Sequence, residues 1–199
     1  MRRIATTGAG CLLVISLASG DSCRAITSVA SDPHSVTIQS ATASGELHFK
    51  VPDGWITERP SSSMRVGQYK LPKVEGDSED ASLVLYYFGA TQGGSVQANI
   101  ERWISQMQQN GGSSSKDEAK IDSLTVNGLK MTTVDVAGTY TAEMSPGSSE
   151  RHNDANYRLR AAVIETPRGN YYVKLVGPAK TVGRWAQSFT NYLKSFEFK

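Results

Sequence analysis

Both cysteines of the chain, Cys11 and Cys23, lie within its first 23 residues, and nothing after them carries a thiol. The rest of the sequence therefore has neither an internal disulfide nor a thiolate metal site available to it. Whatever it folds into must be held by burial of apolar side chains alone. About 175 residues are enough for one such core. Apolar periodicity is then the property that decides the fold.

The cysteine-bearing segment has a different character. Arg2 and Arg3 precede an apolar run from Gly8 to Ala18, GAGCLLVISLA, followed by SGDSC. A run of about eleven residues lies within the roughly 7–15 of an export signal and falls short of the roughly 20 a membrane-spanning helix needs. Residues 1–22 are therefore expected to be a signal peptide, and the mature protein to work in the periplasm, at the outer membrane or at the cell surface. Two fates stay open. Cys23 is a conditional lipidation site: Gly20 and Ser22 before it are small, but Asp21 is out of pattern and Leu17 sits too far upstream. Ordinary cleavage after Gly20, with Ala18 and Gly20 as the small residues, is the alternative. A chain starting at Cys23 loses Arg2, Arg3 and Asp21, so its net charge falls from +2 to +1. Near neutrality gives no electrostatic footprint for a nucleic acid, and none is expected as partner.

Residues 23–45 are small, polar and weakly patterned, and read as a flexible tether with a short strand at Val36–Gln39. Residues 46–199 read as a single domain. LHFKV (Leu47–Val51) alternates, and PDGW turns the chain. A strand from Met64 to Leu71 follows. ASLVLYYF (Ala81–Phe88) is apolar almost throughout, so a central strand covered on both faces is expected. Ser95 caps a helix whose stripe is Val96, Ile100, Trp103, Ile104 and Met107. Asn127-Gly128 supplies the positive φ angles of a two-residue hairpin turn. A polar loop, 141–156, leads to a second hairpin, Tyr157–Glu165 and Tyr171–Gly177. Pro178 then opens a helix at its first position, with Val182, Trp185, Ala186, Phe189, Leu193 and Phe196 along one side. The sum is an α+β fold: an antiparallel sheet of about six or seven strands packed with two amphipathic helices in an α/β/α sandwich.

Three stretches, Phe49-Lys50-Val51-Pro52-Asp53-Gly54-Trp55, Gly177-Pro178 and Ser195-Phe196-Glu197-Phe198, in this order of elements, resemble the PsbP/Mog fold family. The likeness covers roughly residues 46–199 and is nearer to small exported bacterial proteins of unknown role that share that architecture. It implies a non-enzymatic role in binding or assembling a partner. No family binding residue carries over.

Candidate chemistry is thin. His34 lies in the tether and His48 on the first strand. Glu150, His152 and Asp154 alternate in the polar loop and could converge on a cation, but a solvated, flexible loop is the plainer reading, so no metal is expected. Gly93-Gly94-Ser95 could offer N–H groups to an anion, yet lacks the fuller phosphate-loop pattern and reads as a helix start. Trp55, Trp103 and Trp185 fit core positions. In the pairs Tyr86-Tyr87 and Tyr171-Tyr172 the two members face opposite sides of the sheet, which would expose tyrosines to a partner if only one face is covered. No nucleophile–base motif occurs, and no catalytic residue or cofactor is expected. The leading reading is an exported, membrane-tethered, non-catalytic binding or assembly module of the cell envelope with a protein partner there. A carrier for a small apolar ligand, or a hydrolase using carboxylates, are the alternatives.

Overall fold

A computed structural model of the protein describes residues 45–109, 111 and 113–199. The export signal, Cys23, His34, the strand expected at Val36–Gln39 and nearly all of the tether lie outside the described residues. The remainder is α+β, as the periodicity requires. β1 (Leu47–His48), β2 (Ile56–Thr57), β3 (Arg65–Leu71) and β4 (Ala81–Tyr87) precede α1 (Val96–Ile104). β5 (Met107–Gln108), α2 (Ser115–Glu118), β6 (Lys120–Val126) and β7 (Leu129–Tyr140) follow. β8 (Asp154–Thr166), β9 (Gly169–Pro178), α3 (Ala179–Arg184), α4 (Ala186–Lys194) and β10 (Glu197–Phe198) complete the order. Among the described residues no helix is long and apolar enough to cross a membrane.

The main sheet has eight strands in the order β2-β3-β4-β9-β8-β7, with β5 and β6 both on the outer edge of β7. Every pairing is antiparallel. Side chains alternate across it. Along β8, Leu159, Ala161 and Val163 face α1, whereas Ala162 and Ile164 face α3 and α4. On the α1 side Ile100, Trp103 and Ile104 pack on Val134, Val136 and Leu159. On the other, Phe189, Tyr192, Leu193 and Phe196 pack on Leu83, Leu85, Met131 and Val173. Trp55 joins that second cluster, its ring centroid 5.0 Å from that of Tyr192. Helices therefore lie on both faces, the sandwich that the apolar stripes demand.

Several elements depart from expectation, each for a local reason. The last helix is two helices. Trp185 between them adopts φ −93°, ψ 5°, outside the helical well. Its indole N–H donates to the carbonyl of Pro72 at 2.9 Å, so the ring is pinned where a continuous helix would carry it away. Pro178 stands as the cap rather than the first helical residue. The first helix stops at Ile104, and Met107 pairs with Tyr140 in the sheet. The opening strand ends at His48, because it pairs with β10 through Leu47–Phe198 and His48–Glu197 and that partner is two residues long. The Asn127-Gly128 turn has φ 48° and 79°, as that dipeptide allows.

Candidate functional site

One face of the sheet is under-covered. A nine-residue helix spans about 13 Å at 1.5 Å per residue, and strands are spaced about 4.8 Å apart. α1 has nine residues and packs over β7 and β8. It leaves open the Lys174–Val176 part of the same face of β9 and the adjoining part of β4. Ser82 is exposed, Val84 buried and Tyr86 half-buried on that face, which corrects the expectation that β4 is covered on both sides. The result is a groove of about 720 Å³, roofless along one side.

Its floor carries Lys174. In sheet register Lys174 lies between Val84 of β4 and Ala161 of β8, with Gln68 and Val134 one strand further out on either side. It is the single charge in that row. The ammonium donates to Gln106 Oε1 at 2.6 Å and to the Tyr140 hydroxyl at 2.9 Å, both neutral acceptors. Burial lowers the Lys174 pKa from 10.5 to about 8, and the neighbouring Arg102 guanidinium lowers it in the same sense. Burial also pushes Tyr140 up to about 12, with Tyr86 and Asp154 adding to the effect.

Arg65, Arg102 and Arg151 line the same groove. Arg65 donates to Gln68 Oε1 at 2.8 Å and Arg102 to Asn99 Oδ1, again neutral oxygens. Among the described residues neither these arginines nor Lys174 forms an ion pair. Four carboxylates also line it, and each is held by a donor. Asp80 accepts from the Lys73 N–H at 2.9 Å, and Glu143 from the Gly147 N–H at 3.0 Å. Asp154 is in contact with His152 Nδ1 at 2.8 Å, and Glu79 accepts from the Tyr157 hydroxyl. Burial, aided by Glu79, raises the Tyr157 pKa.

The wall opposite α1 comes from the segment between β7 and β8, where a flexible loop is expected. It is instead a laddered turn. Glu143 bridges Arg151, the Met144 N–H donates to the Glu150 carbonyl at 3.0 Å, and the His152 N–H donates to the Ala142 carbonyl at 2.9 Å. His152 and Asp154 are brought together and Glu150 is not, and among the described residues no three His, Cys, Asp or Glu side chains gather as a metal site. His48 is exposed on β1. Gly93-Gly94 folds down on Tyr172, whose hydroxyl donates to the Gly94 carbonyl at 3.1 Å. A Cβ on Gly93 would sit 2.5 Å from that hydroxyl, so the glycines serve close approach. Trp55 and Trp103 are core residues. The tyrosine pairs split as expected. Tyr87 and Tyr171 stack at 4.5 Å on the α4 side, while Tyr86 borders the groove and Tyr172 is buried beside α1.

Lys174 itself escaped the sequence reading. A lysine in YYVKLVG looks like the solvent side of an alternating strand. The available signal was its setting: one charge within a run otherwise long and apolar enough to be covered on both faces.

No family profile matches the sequence, and no curated protein matches it. Among solved structures, LpqN of Mycobacterium tuberculosis, described as involved in cell envelope biogenesis, is similar over 81% of this chain and 87% of its own. The identity is 10% and the TM-score 0.51. A protein of unknown function from Pseudomonas aeruginosa, PA94, aligns over 71% of this chain and 94% of its own, at 14% identity and TM-score 0.44. The likeness to LpqN is one of fold.

Proposed function

We propose that this chain is an exported, non-catalytic binding or assembly module of the cell envelope, tethered through lipidated Cys23, and that its ligand lies in the groove over Lys174. One observation carries the reading. A charged amine is half-buried in the floor of an open groove without a counter-ion, an arrangement that costs stability and that a fold without a ligand there does not need. The envelope location is supported by the signal-like residues 1–22 and by the fold shared with LpqN. The finer kinship with PsbP and Mog, and with it an assembly role beside an envelope protein, belongs to the same proposal.

A binding role for the groove, rather than a reaction centre, is supported by the state of its polar groups. Its four carboxylates are each engaged by a donor, and Lys174 has no base beside it. An apolar carrier would want an apolar floor, and this floor is an ammonium group.

Two measurements test the proposal. Intact-mass spectrometry of the membrane fraction should give a chain beginning at Cys23 with diacylglycerol attached; a lipid-free chain starting after Gly20 in the soluble fraction would remove the tether. Ser82 is exposed at the groove, and Ser82→Trp puts a bulky ring into it from an exposed position. Ligands that raise the melting temperature of the wild type should leave that of Ser82→Trp unchanged. Turnover of a hydrolase substrate lost in Ser82→Trp would overturn the non-catalytic reading.

A further inference from the structure

Resting on that reading, we infer that the groove takes a small soluble organic anion: a carboxylate, sulfonate or phosphate group seated on Lys174, joined to a flat apolar body lying against the aromatic wall. Three features carry this. The first is donor count. An ammonium has three N–H donors, and among the described residues Lys174 uses two, both on neutral oxygens. The third is left for an acceptor in the groove.

The second is the imbalance of engagement. Arg65, Arg102 and Arg151 reach the same space without a carboxylate partner, while every carboxylate on the lining is tied to a donor of the protein itself. Held only by neutral oxygens, Lys174, Arg65 and Arg102 keep capacity for charge-assisted hydrogen bonds, the strong kind.

The third is the shape and lining. Tyr86 stacks on Phe88 with centroids 5.8 Å apart, and Tyr140 lies parallel to Tyr157 at 6.2 Å. Tyr86, Tyr140 and Tyr157 line the groove with Lys174, together with Val84, Val176 and Ala142. About 720 Å³ falls in the range of small-molecule sites, roughly 300–1,000 Å³. The groove is open to solvent along one side, and Ala142, Met144 and His152 of the turn contribute to its lining, so a small soluble molecule can enter it.

The test uses two fluorescent probes of nearly the same body. Anilinonaphthalene sulfonate carries an anion; N-phenylnaphthylamine lacks it. The sulfonate should bind the folded full-length protein at one site, at least about tenfold more tightly than the neutral probe. Lys174→Met should weaken the sulfonate about tenfold and leave the neutral probe unchanged. Arg102 and Arg151 are both exposed, so the double variant Arg102→Gln, Arg151→Gln folds regardless of the fate of the lysine variant, and it should weaken the sulfonate about threefold. If both probes bind equally and neither variant alters the sulfonate, the anion inference falls; the groove reading survives provided Ser82→Trp abolishes binding. If neither probe binds, or both bind Ser82→Trp as well as wild type, the inference and the groove reading fall together.

Discussion

Replacing Lys174 by methionine keeps the length of the side chain and removes its charge. The folded protein releases the Lys174 proton near pH 8, whereas the ordinary value is 10.5. At about 1.4 kcal/mol per pH unit, that gap makes the protonated lysine cost the fold about 3 kcal/mol at pH 7. The sign follows from proton counting. Between pH 8 and 10.5 the unfolded chain holds more protons at this site than the folded one, so stability rises with pH there and the full penalty is present below pH 8. Methionine carries no such penalty, and Gln106 and Tyr140, left without their donor, face the groove and its water. Lys174→Met should therefore gain about 2–3 kcal/mol at pH 7, a rise in melting temperature of about 4–12 °C for a domain of this size. By pH 10 the gain should shrink below about 1 kcal/mol, because the folded lysine is then neutral and pH 10 lies only about half a unit below the pKa at which the unfolded lysine also loses its proton. Urea unfolding of both proteins across pH 7–10 measures this directly. A variant that is less stable at pH 7, or whose gain does not change with pH, would refute the reasoning.

Other perturbations have defined outcomes. Gly93→Ala places a methyl group 2.5 Å from the Tyr172 hydroxyl at a φ of 93°, and should cost about 2–3 kcal/mol in chemical denaturation; a neutral result would mean the loop does not sit on Tyr172. Asp135 takes Arg158 on both oxygens, at 2.6 and 2.7 Å, and lies 3.0 Å from Arg160 Nε, so Asp135→Ala strands two half-buried guanidinium groups. The expected loss is about 1–3 kcal/mol by thermal unfolding, with no effect on probe binding across the sheet. Ser95→Ala removes the cap that accepts from the Ala98 N–H at 3.1 Å and should cost about 0.5–2 kcal/mol, with faster amide exchange in the first turn of α1.

What was legible in the sequence is what local chemistry decides. The Asn127-Gly128 hairpin, the Ser95 cap and the stripe of α1 as far as Ile104 follow from backbone preferences and spacing, and the structure has them. The division of Tyr86-Tyr87 follows from the two-residue period of a strand. Non-local facts were not legible. That β1 ends at His48 depends on a partner 150 residues downstream, and the break at Trp185 on a carbonyl of Pro72. The groove was hidden for the same reason. Whether the apolar run of β4 is covered twice depends on how far α1 reaches over the sheet, and α1 ends at Ile104 rather than continuing through Met107. Once that face is open, Lys174 ceases to be an ordinary surface lysine and becomes the floor of a site.

The central claim is that Lys174 is a desolvated, unpaired ammonium facing a ligand groove. NMR titration of protein carrying carbon-13 at the lysine ε position tests it, with Lys174→Met assigning the resonance. One lysine should titrate near pH 8 and shift when anilinonaphthalene sulfonate is added. Contradiction would be a Lys174 resonance that titrates with the exposed lysines near about 10.4 and ignores the sulfonate.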